Sequence, residues 1–249
     1  MKVRLDKLIL QRGLAPSRER AQALVLAGRV LVNEQKIEKS GASVEDEAVL
    51  RILGDEMPFV SRGGLKLARA IEHWHIEVRD KVCMDIGTST GGFTDCLLQN
   101  GAAQVIAVDT GYGQIDMKLR GDSRVRLLEK TNARYLTVEQ IWPDAKQRCR
   151  IGLIAMDVSF ISATLVLPAV VASAGRGFEL VVLVKPQFEV GRERIGKGGI
   201  VRDPEAHEMA VRRVSDAVVE LGGEGIEVID SPIMGAEGNK EFVLHARCG

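Results

Sequence analysis

From residue 81 onward, short runs of strand-forming residues recur along the chain: "KVCMDIG" (81–87), "AQVIAVD" (103–109), "RVRLLE" (124–129), "IGLIAMD" (151–157) and "FELVVLVK" (178–185). Segments with helical spacing lie between most of them, and "SRGGLKLARAIEHW" precedes the first. This alternation predicts a parallel sheet covered on both faces, the doubly wound α/β class. The tail holds two more strand candidates, "GIEVID" and "KEFVLHA", with only a loop between them. The uncharged stretch "SFISATLVLPAVVASAG" (159–175) contains several hydroxyls and is interrupted by Pro168. It falls just short of the ~18 continuous apolar residues of a membrane span, and it reads as a buried helix.

The first 55 residues follow a different pattern. Leu5, Leu8 and Ile9 have helical spacing, with Gly13 placed to stop that helix. A second helix starts after Ser17, its expected N-cap, and stops at Gly28. "VLVN" and "QKI" then flank a tight turn as short strands, and "AVLRI" (48–52) is placed to close a small sheet. The stretch "RLDKLILQRGLAPSRERAQALVLAGRVLVN" resembles the αL-type RNA-binding domain found in a small-subunit ribosomal protein, some pseudouridine synthases and tyrosyl-tRNA synthetases. Arg4, Lys7, Arg18, Arg20 and Arg29 are the expected phosphate contacts of this head, because guanidinium groups engage phosphates bidentately.

Charge supports that division. The net charge is zero, yet residues 1–40 hold nine Lys/Arg against four Asp/Glu. A basic head on a neutral protein fits a nucleic-acid footprint, although a solvated charged face has the same composition. The cysteines at 83, 96, 149 and 248 and the four histidines show neither CxxC pairing nor metal spacing. Scattered thiols fit a reducing cytosol, and Met1 is followed at once by a charged, patterned segment, so a cytoplasmic protein without a signal peptide is expected.

The chemistry concentrates at strand ends. "DIGTSTGGFTDCLLQNG" follows the first strand with Gly87, Gly91 and Gly92, which is not GxGxxG. That spacing disfavours a pyrophosphate cofactor and leaves room for a nucleotide-like ligand without phosphate, such as S-adenosylmethionine. Asp109 ends the second strand, where an acid either hydrogen-bonds a ribose diol or caps the next turn. Asn132 stands just past the third, as an adenine contact or as a turn residue. Asp157 ends the fourth strand and Lys185 the fifth. Ligands of open α/β sheets bind outside the carboxyl ends of the strands, so both charges are expected to face the crevice of the glycine loop.

Taken together, "VSRGGLKL", "DIGTSTGGFTDCLLQ", "AVDTGYGQ", "KLRGD", "TNAR", "MDVSFIS", "LVKPQFEVGR", "GKGGIVRD" and "GAEGNKEF" resemble the TlyA family, related to the FtsJ-type ribose methyltransferases. The resemblance spans essentially the whole chain. It implies a Rossmann-like methyltransferase sheet over 63–249, a linker at 56–62, and the small α+β RNA-binding domain at 1–55. It implies a catalytic tetrad of Lys66, Asp157, Lys185 and Glu241, and S-adenosylmethionine held by Asp85, Gly87, Ser89, Gly91, Gly92, Phe93, Thr94, Asp109 and Asn132, without a metal. Arg62 joins the expected RNA contacts. One departure stands out: Met117 occupies the place before "KLR" where the family often has Trp.

The implied reaction is methylation of a ribose 2′-hydroxyl in ribosomal RNA, of a cytidine, with RNA or ribosomal subunits as partners and no membrane. Catalysis then needs in-line placement and help with the hydroxyl proton, with Lys185 as base or as electrostatic stabiliser. Two other classes are open. A cytolysin, the haemolysin label this family often carries, needs an export signal and a membrane-inserting segment, and neither is evident. A silent RNA-binding assembly factor needs no tetrad. The Gly-rich, charged stretch 189–203 is either a loop over the RNA or plain surface.

Overall fold

The computed structural model describes residues 2–53, 57–235 and 238–249. The chain forms two compact units, divided between Met57 and Pro58. The first contains β1 (Lys2–Arg4), α1 (Leu5–Gln11), α2 (Arg18–Leu26), β2 (Val30–Val32), β3 (Gln35–Lys36), β4 (Ser43–Glu45) and β5 (Leu50–Ile52). The Ser17 side chain accepts from the Arg20 N–H and opens α2, and Gly28, at φ +65°, follows its last turn. β2 pairs antiparallel with β3 and β5, while β1 pairs with β4, a second ribbon that hydrophobic spacing did not reveal. Leu5, Leu8, Ile9, Ala21, Val25 and Val30 form this unit's own core.

The second unit runs α3 (Gly63–Trp74), β6 (Val82–Ile86), α4 (Gly92–Gln99), β7 (Gln104–Val108), α5 (Met117–Arg120), β8 (Val125–Leu128), α6 (Val138–Ile141), β9 (Ile151–Met156), α7 (Ala163–Ala174), β10 (Phe178–Val184), α8 (Pro186–Glu189), α9 (Pro204–Glu220), β11 (Gly223–Asp230) and β12 (Phe242–Cys248). Its sheet has seven strands in the order β11-β12-β10-β9-β6-β7-β8. The five central and far-edge strands β10, β9, β6, β7 and β8 are parallel, and β12 runs antiparallel between β10 and β11. The tail turns back antiparallel because a loop, with no crossover helix, joins its two strands.

Each parallel strand is apolar on both sides because helices cover both faces. Met84, Ile86, Ile154, Met156, Val182 and Val184 pack with α7 and α9 on one face. Cys83, Leu153, Ala155, Val181 and Leu183 pack with α3 and α4 on the other. The stretch 159–175 supplies α7, started by Ser162, whose Oγ accepts from the Thr164 N–H, with Pro168 exposed in its middle. Of the expected linker 56–62, residue 56 lies outside the described residues. Residues 58–60 are fastened to α4: the Pro58 carbonyl accepts from Gln99 and the Val60 N–H donates to Asp95. The order of the sheet reverses between β6 and β9, and their carboxyl ends open a crevice at that switch point.

Candidate active site

Gly87 leaves β6 at φ +88°, and a Cβ there would come 2.4 Å from the Asp157 carbonyl oxygen. Only glycine lets the exits of β6 and β9 pass this closely, and the Asp157 N–H donates to the Ile86 carbonyl at 2.9 Å beside it. Gly92 packs just as closely: a Cβ would lie 2.3 Å from Ser61 Oγ. Beneath the loop Asp85 is fully buried, and its Oδ2 accepts from the Thr94 N–H (2.9 Å) and Thr94 Oγ1 (2.6 Å). Burial pushes the Asp85 carboxyl up to about 7, with repulsion from Asp157 and Asp109 adding to it. Asp85, Thr94 and Gly91 therefore brace the loop from behind, and none of them lines the two cavities in front of it.

The first cavity, of about 370 Å³, is lined by Gly87, Ser89, Asp109, Asn132 and Phe160 among others. Asp109 accepts from the Ser89 N–H (2.7 Å) through Oδ2 and from the Gly111 N–H (2.6 Å) through Oδ1. Asn132 Oδ1 accepts from the Arg134 N–H and caps the short turn Ala133–Tyr135. Each side chain thus caps a turn and faces the cavity as well. No Lys or Arg is among the lining residues, whereas Asp109 and Asp157 are. The Asp109 carboxylate disfavours a pyrophosphate here, while the charge of Asp157 is offset by Lys66 and Lys185.

The second cavity, of about 270 Å³, adjoins the first and shares Gly87, Ser89, Asp157 and Ser159 with it. Arg62, Lys66, Gly92, Phe93 and Lys185 complete its polar and glycine-rich side. Here four charges from distant parts of the chain meet. Lys66 Nζ donates to Glu241 Oε2 at 2.6 Å and lies 3.7 Å from Asp157 Oδ2. Lys185 Nζ lies 2.6 Å from Asp157 Oδ1. Lys66 and Lys185 are each 8% exposed and Glu241 3%. Two ammonium groups and two carboxylates balance, so the buried row Glu241–Lys66–Asp157–Lys185 carries no net charge, which is how buried ions are tolerated.

The FtsJ-like methyltransferase family matches residues 59–248, and the S4 domain matches residues 3–50. The 16S/23S rRNA (cytidine-2′-O)-methyltransferase TlyA of Mycobacterium tuberculosis is 44% identical over 247 residues, covering 99% of this chain and 90% of that one. The chain belongs to the TlyA family of FtsJ-like methyltransferases. A solved chain from Streptococcus thermophilus that bears a hemolysin name is 42% identical, covers 99% of this chain with 88% of its own length, and superposes with a TM-score of 0.74. An S-adenosylmethionine dependent methyltransferase from Mesorhizobium loti, 14% identical, shares the fold alone over 72% of this chain and 96% of its own length (TM-score 0.51).

Several residues of this TlyA-family site escaped the sequence reading. Ser159 accepts from Lys185 Nζ at 2.7 Å, and its place two residues beyond the strand-end Asp157 was the available signal. Phe160, 91% exposed at φ +64°, stands on the rim with its ring 5.5 Å from that of Phe188. Gly235 makes room for Glu241, since a Cβ there would lie 2.5 Å from Oε1. Asn239, buried, accepts from the Val201 N–H and donates to the Gly199 carbonyl, which pins the stretch 189–203 beside the tetrad. Glu189 accepts from Ser162 Oγ (2.5 Å) and the Ala163 N–H (2.7 Å), so its carboxylate caps α7; burial raises it above the ordinary carboxylate range.

In the S4 domain, Arg4 and Arg18 do come together, but on a protein carboxylate. Both bind the fully buried Asp6, which also accepts from Gln22 and from the Lys7 N–H. The Arg4 hydrogen bonds hold Asp6 far below the usual carboxylate range. Both guanidinium groups remain about half exposed. Arg29 donates to the Leu53 carbonyl, and Lys7 and Arg20 are exposed. Arg62 lies in the other unit, at the second cavity.

Proposed function

We propose that the protein transfers a methyl group from S-adenosylmethionine to the ribose 2′-hydroxyl of a cytidine in ribosomal RNA. The observation that carries this reading is the buried row Glu241–Lys66–Asp157–Lys185, set in a cavity that adjoins the glycine-loop cavity through Asp157 and Ser159. The same reaction is the one named for the Mycobacterium tuberculosis relative.

The residues of the first cavity fit the cofactor. Gly87 and Gly92 permit close backbone approach, Asp109 offers carboxylate oxygens to a ribose diol, and Asn132 offers its amide to an adenine edge. The Asp109 carboxylate, with no Lys or Arg among the described lining residues, suits a ligand without phosphate. When bound, S-adenosylmethionine supplies an electrophilic methyl group. Asp85 and Thr94 hold the loop that Ser89 and Phe93 belong to.

In the second cavity, Lys66 and Lys185 place two charged amines where negative charge grows on the attacking oxygen as its proton passes to solvent water. Glu241 fixes the Lys66 amine through a hydrogen bond, and Asp157 balances the charge of both amines. A ribose 2′-hydroxyl exists only in RNA, which accounts for an S4 domain on the same chain. Lys7, Arg20 and the outer faces of Arg4 and Arg18 are its phosphate contacts, with Arg29 beside them and Arg62 serving at the reacting nucleotide. The substrate is ribosomal RNA or a ribosomal subunit, which places the protein in the cytoplasm. Among the described residues no helix is long and apolar enough to cross a membrane, and a cytolytic role has no counterpart in this site. An assembled tetrad has no use in a silent assembly factor.

Incubating the full chain with labelled S-adenosylmethionine and unmodified ribosomal subunits tests the reading. The parent incorporates label into RNA. Lys185→Ala incorporates none, although calorimetry finds S-adenosylmethionine binding unchanged. Parental incorporation by Lys185→Ala contradicts the assignment.

A further inference from the structure

Lys185 has two neighbours that do different things. Its contact with Asp157 Oδ1 is an ion pair of 2.6 Å without the alignment of a hydrogen bond, and Oδ1 is a buried oxygen with no hydrogen-bond partner. Among the described residues, the hydrogen bond that Lys185 Nζ does make is to Ser159 Oγ at 2.7 Å. An ion pair is nearly indifferent to direction, whereas a hydrogen bond weakens steeply with angle. Asp157 therefore balances the charge of the amine, and Ser159 sets where the amine points.

The backbone around Ser159 is shaped for this. Phe160, the next residue, sits in the left-handed region at φ +64°, which costs a residue with a Cβ roughly 1–2 kcal/mol. Strained backbone of this kind persists where the surroundings enforce it, and such places cluster at functional sites. Ser159 itself stands three residues beyond the end of β9, on both cavity walls. A serine hydroxyl that accepts from an amine keeps its own hydrogen and a second lone pair.

We infer that Ser159 is a positioning residue for methyl transfer, one that aims the Lys185 amine at the reacting ribose oxygen. The inference rests on the ribose methyl transfer reading and adds a residue to it. Among the described residues the side-chain partner of the hydroxyl is the Lys185 amine, and Ser159 is not part of the apolar core. Its loss leaves the amine charged and in place but free to turn about its bonds.

The test uses the full chain and three variants, Ser159→Ala, Ser159→Thr and Lys185→Ala, with saturation kinetics on ribosomal subunits. Ser159→Ala is expected to lower kcat roughly 10-fold, the size associated with removing a hydrogen bond to a charged group. The melting temperature stays at the parental value, and KM for S-adenosylmethionine is measured alongside because Ser159 also lines the first cavity. Ser159→Thr, which keeps the hydroxyl, recovers to within about threefold of the parent on the same reasoning. Parental kcat in Ser159→Ala, or an equal loss in the Ala and Thr variants, overturns the inference. A loss that appears in KM alone overturns it too. If Ser159→Ala is unaffected while Lys185→Ala is inactive, only the role of Ser159 fails; activity in Lys185→Ala removes the underlying reading as well.

Discussion

Lys66 stands on the first turns of α3 and Glu241 just before β12, yet 2.6 Å separates their charged atoms. Neither residue is unusual alone; a helix lysine and a carboxylate beside a strand are ordinarily solvated. Their burial is what supports the proposed role, and no local pattern in the sequence announces burial. Asp157 and Lys185 were legible without a relative, because a charge at the end of a buried strand points to the crevice. Asp85 was legible as a site residue, but its place behind the loop was not, since that depends on its partner Thr94, nine residues on. Its protonation gives a measurable consequence. The folded carboxyl titrates at about 7, well above an unfolded aspartate near 3.9. Between those values the folded state binds more protons, so this contribution to stability is complete below pH ~4 and lost as pH rises through about 7. Thermal melting from pH 5 to 8.5 should show a decline in the parent that Asp85→Asn removes; a decline of the same size in both assigns it to other groups.

Among the elements, the parallel strands were readable because both faces of the sheet are covered and each strand is mostly apolar, interrupted only by Asp85 in β6, Gln104 in β7, Arg126 in β8 and Glu179 in β10. The ribbon β1–β4 was not, because "KVR" and "SVE" each hold a single apolar residue between polar ones. The stretch 189–203 also withheld its structure: among its ties are Glu189 to the start of α7 and Asn239, some 40 positions away, to residues 199 and 201. The joint between elements that matters most is the crossing of the β6 and β9 exits at Gly87. Gly87→Ala places a Cβ against the Asp157 carbonyl at a backbone angle that L-residues avoid. The expected cost is about 2 kcal/mol or more, a drop of roughly 4–8 °C in melting temperature, accompanied by weaker S-adenosylmethionine binding. A variant that melts with the parent and binds the cofactor equally well would show that the crossing tolerates a methyl group.

At the scale of the whole molecule, a neutral chain carries its surplus of positive charge in the first 40 residues. The RNA-binding pattern of that head was legible, while the diversion of Arg4 and Arg18 toward Asp6 was hidden, because a lone aspartate among basic residues reads as surface. Lys7 and Arg20 are exposed and bring their charge to solvent. Replacing both with alanine should weaken RNA binding and flatten its dependence on salt by about one logarithmic unit for each phosphate left without its cation. Fluorescence titration from 50 to 200 mM salt checks this, and an unchanged slope removes those two residues from the interface. The measurement that bears most directly on the central claim is the chemical identity of the product. Ribosomal RNA treated with the protein and S-adenosylmethionine is digested to nucleosides and analysed by mass spectrometry. The parent should yield 2′-O-methylcytidine and Lys185→Ala none. A methyl group on a base, or RNA left unmethylated by the parent, would contradict it.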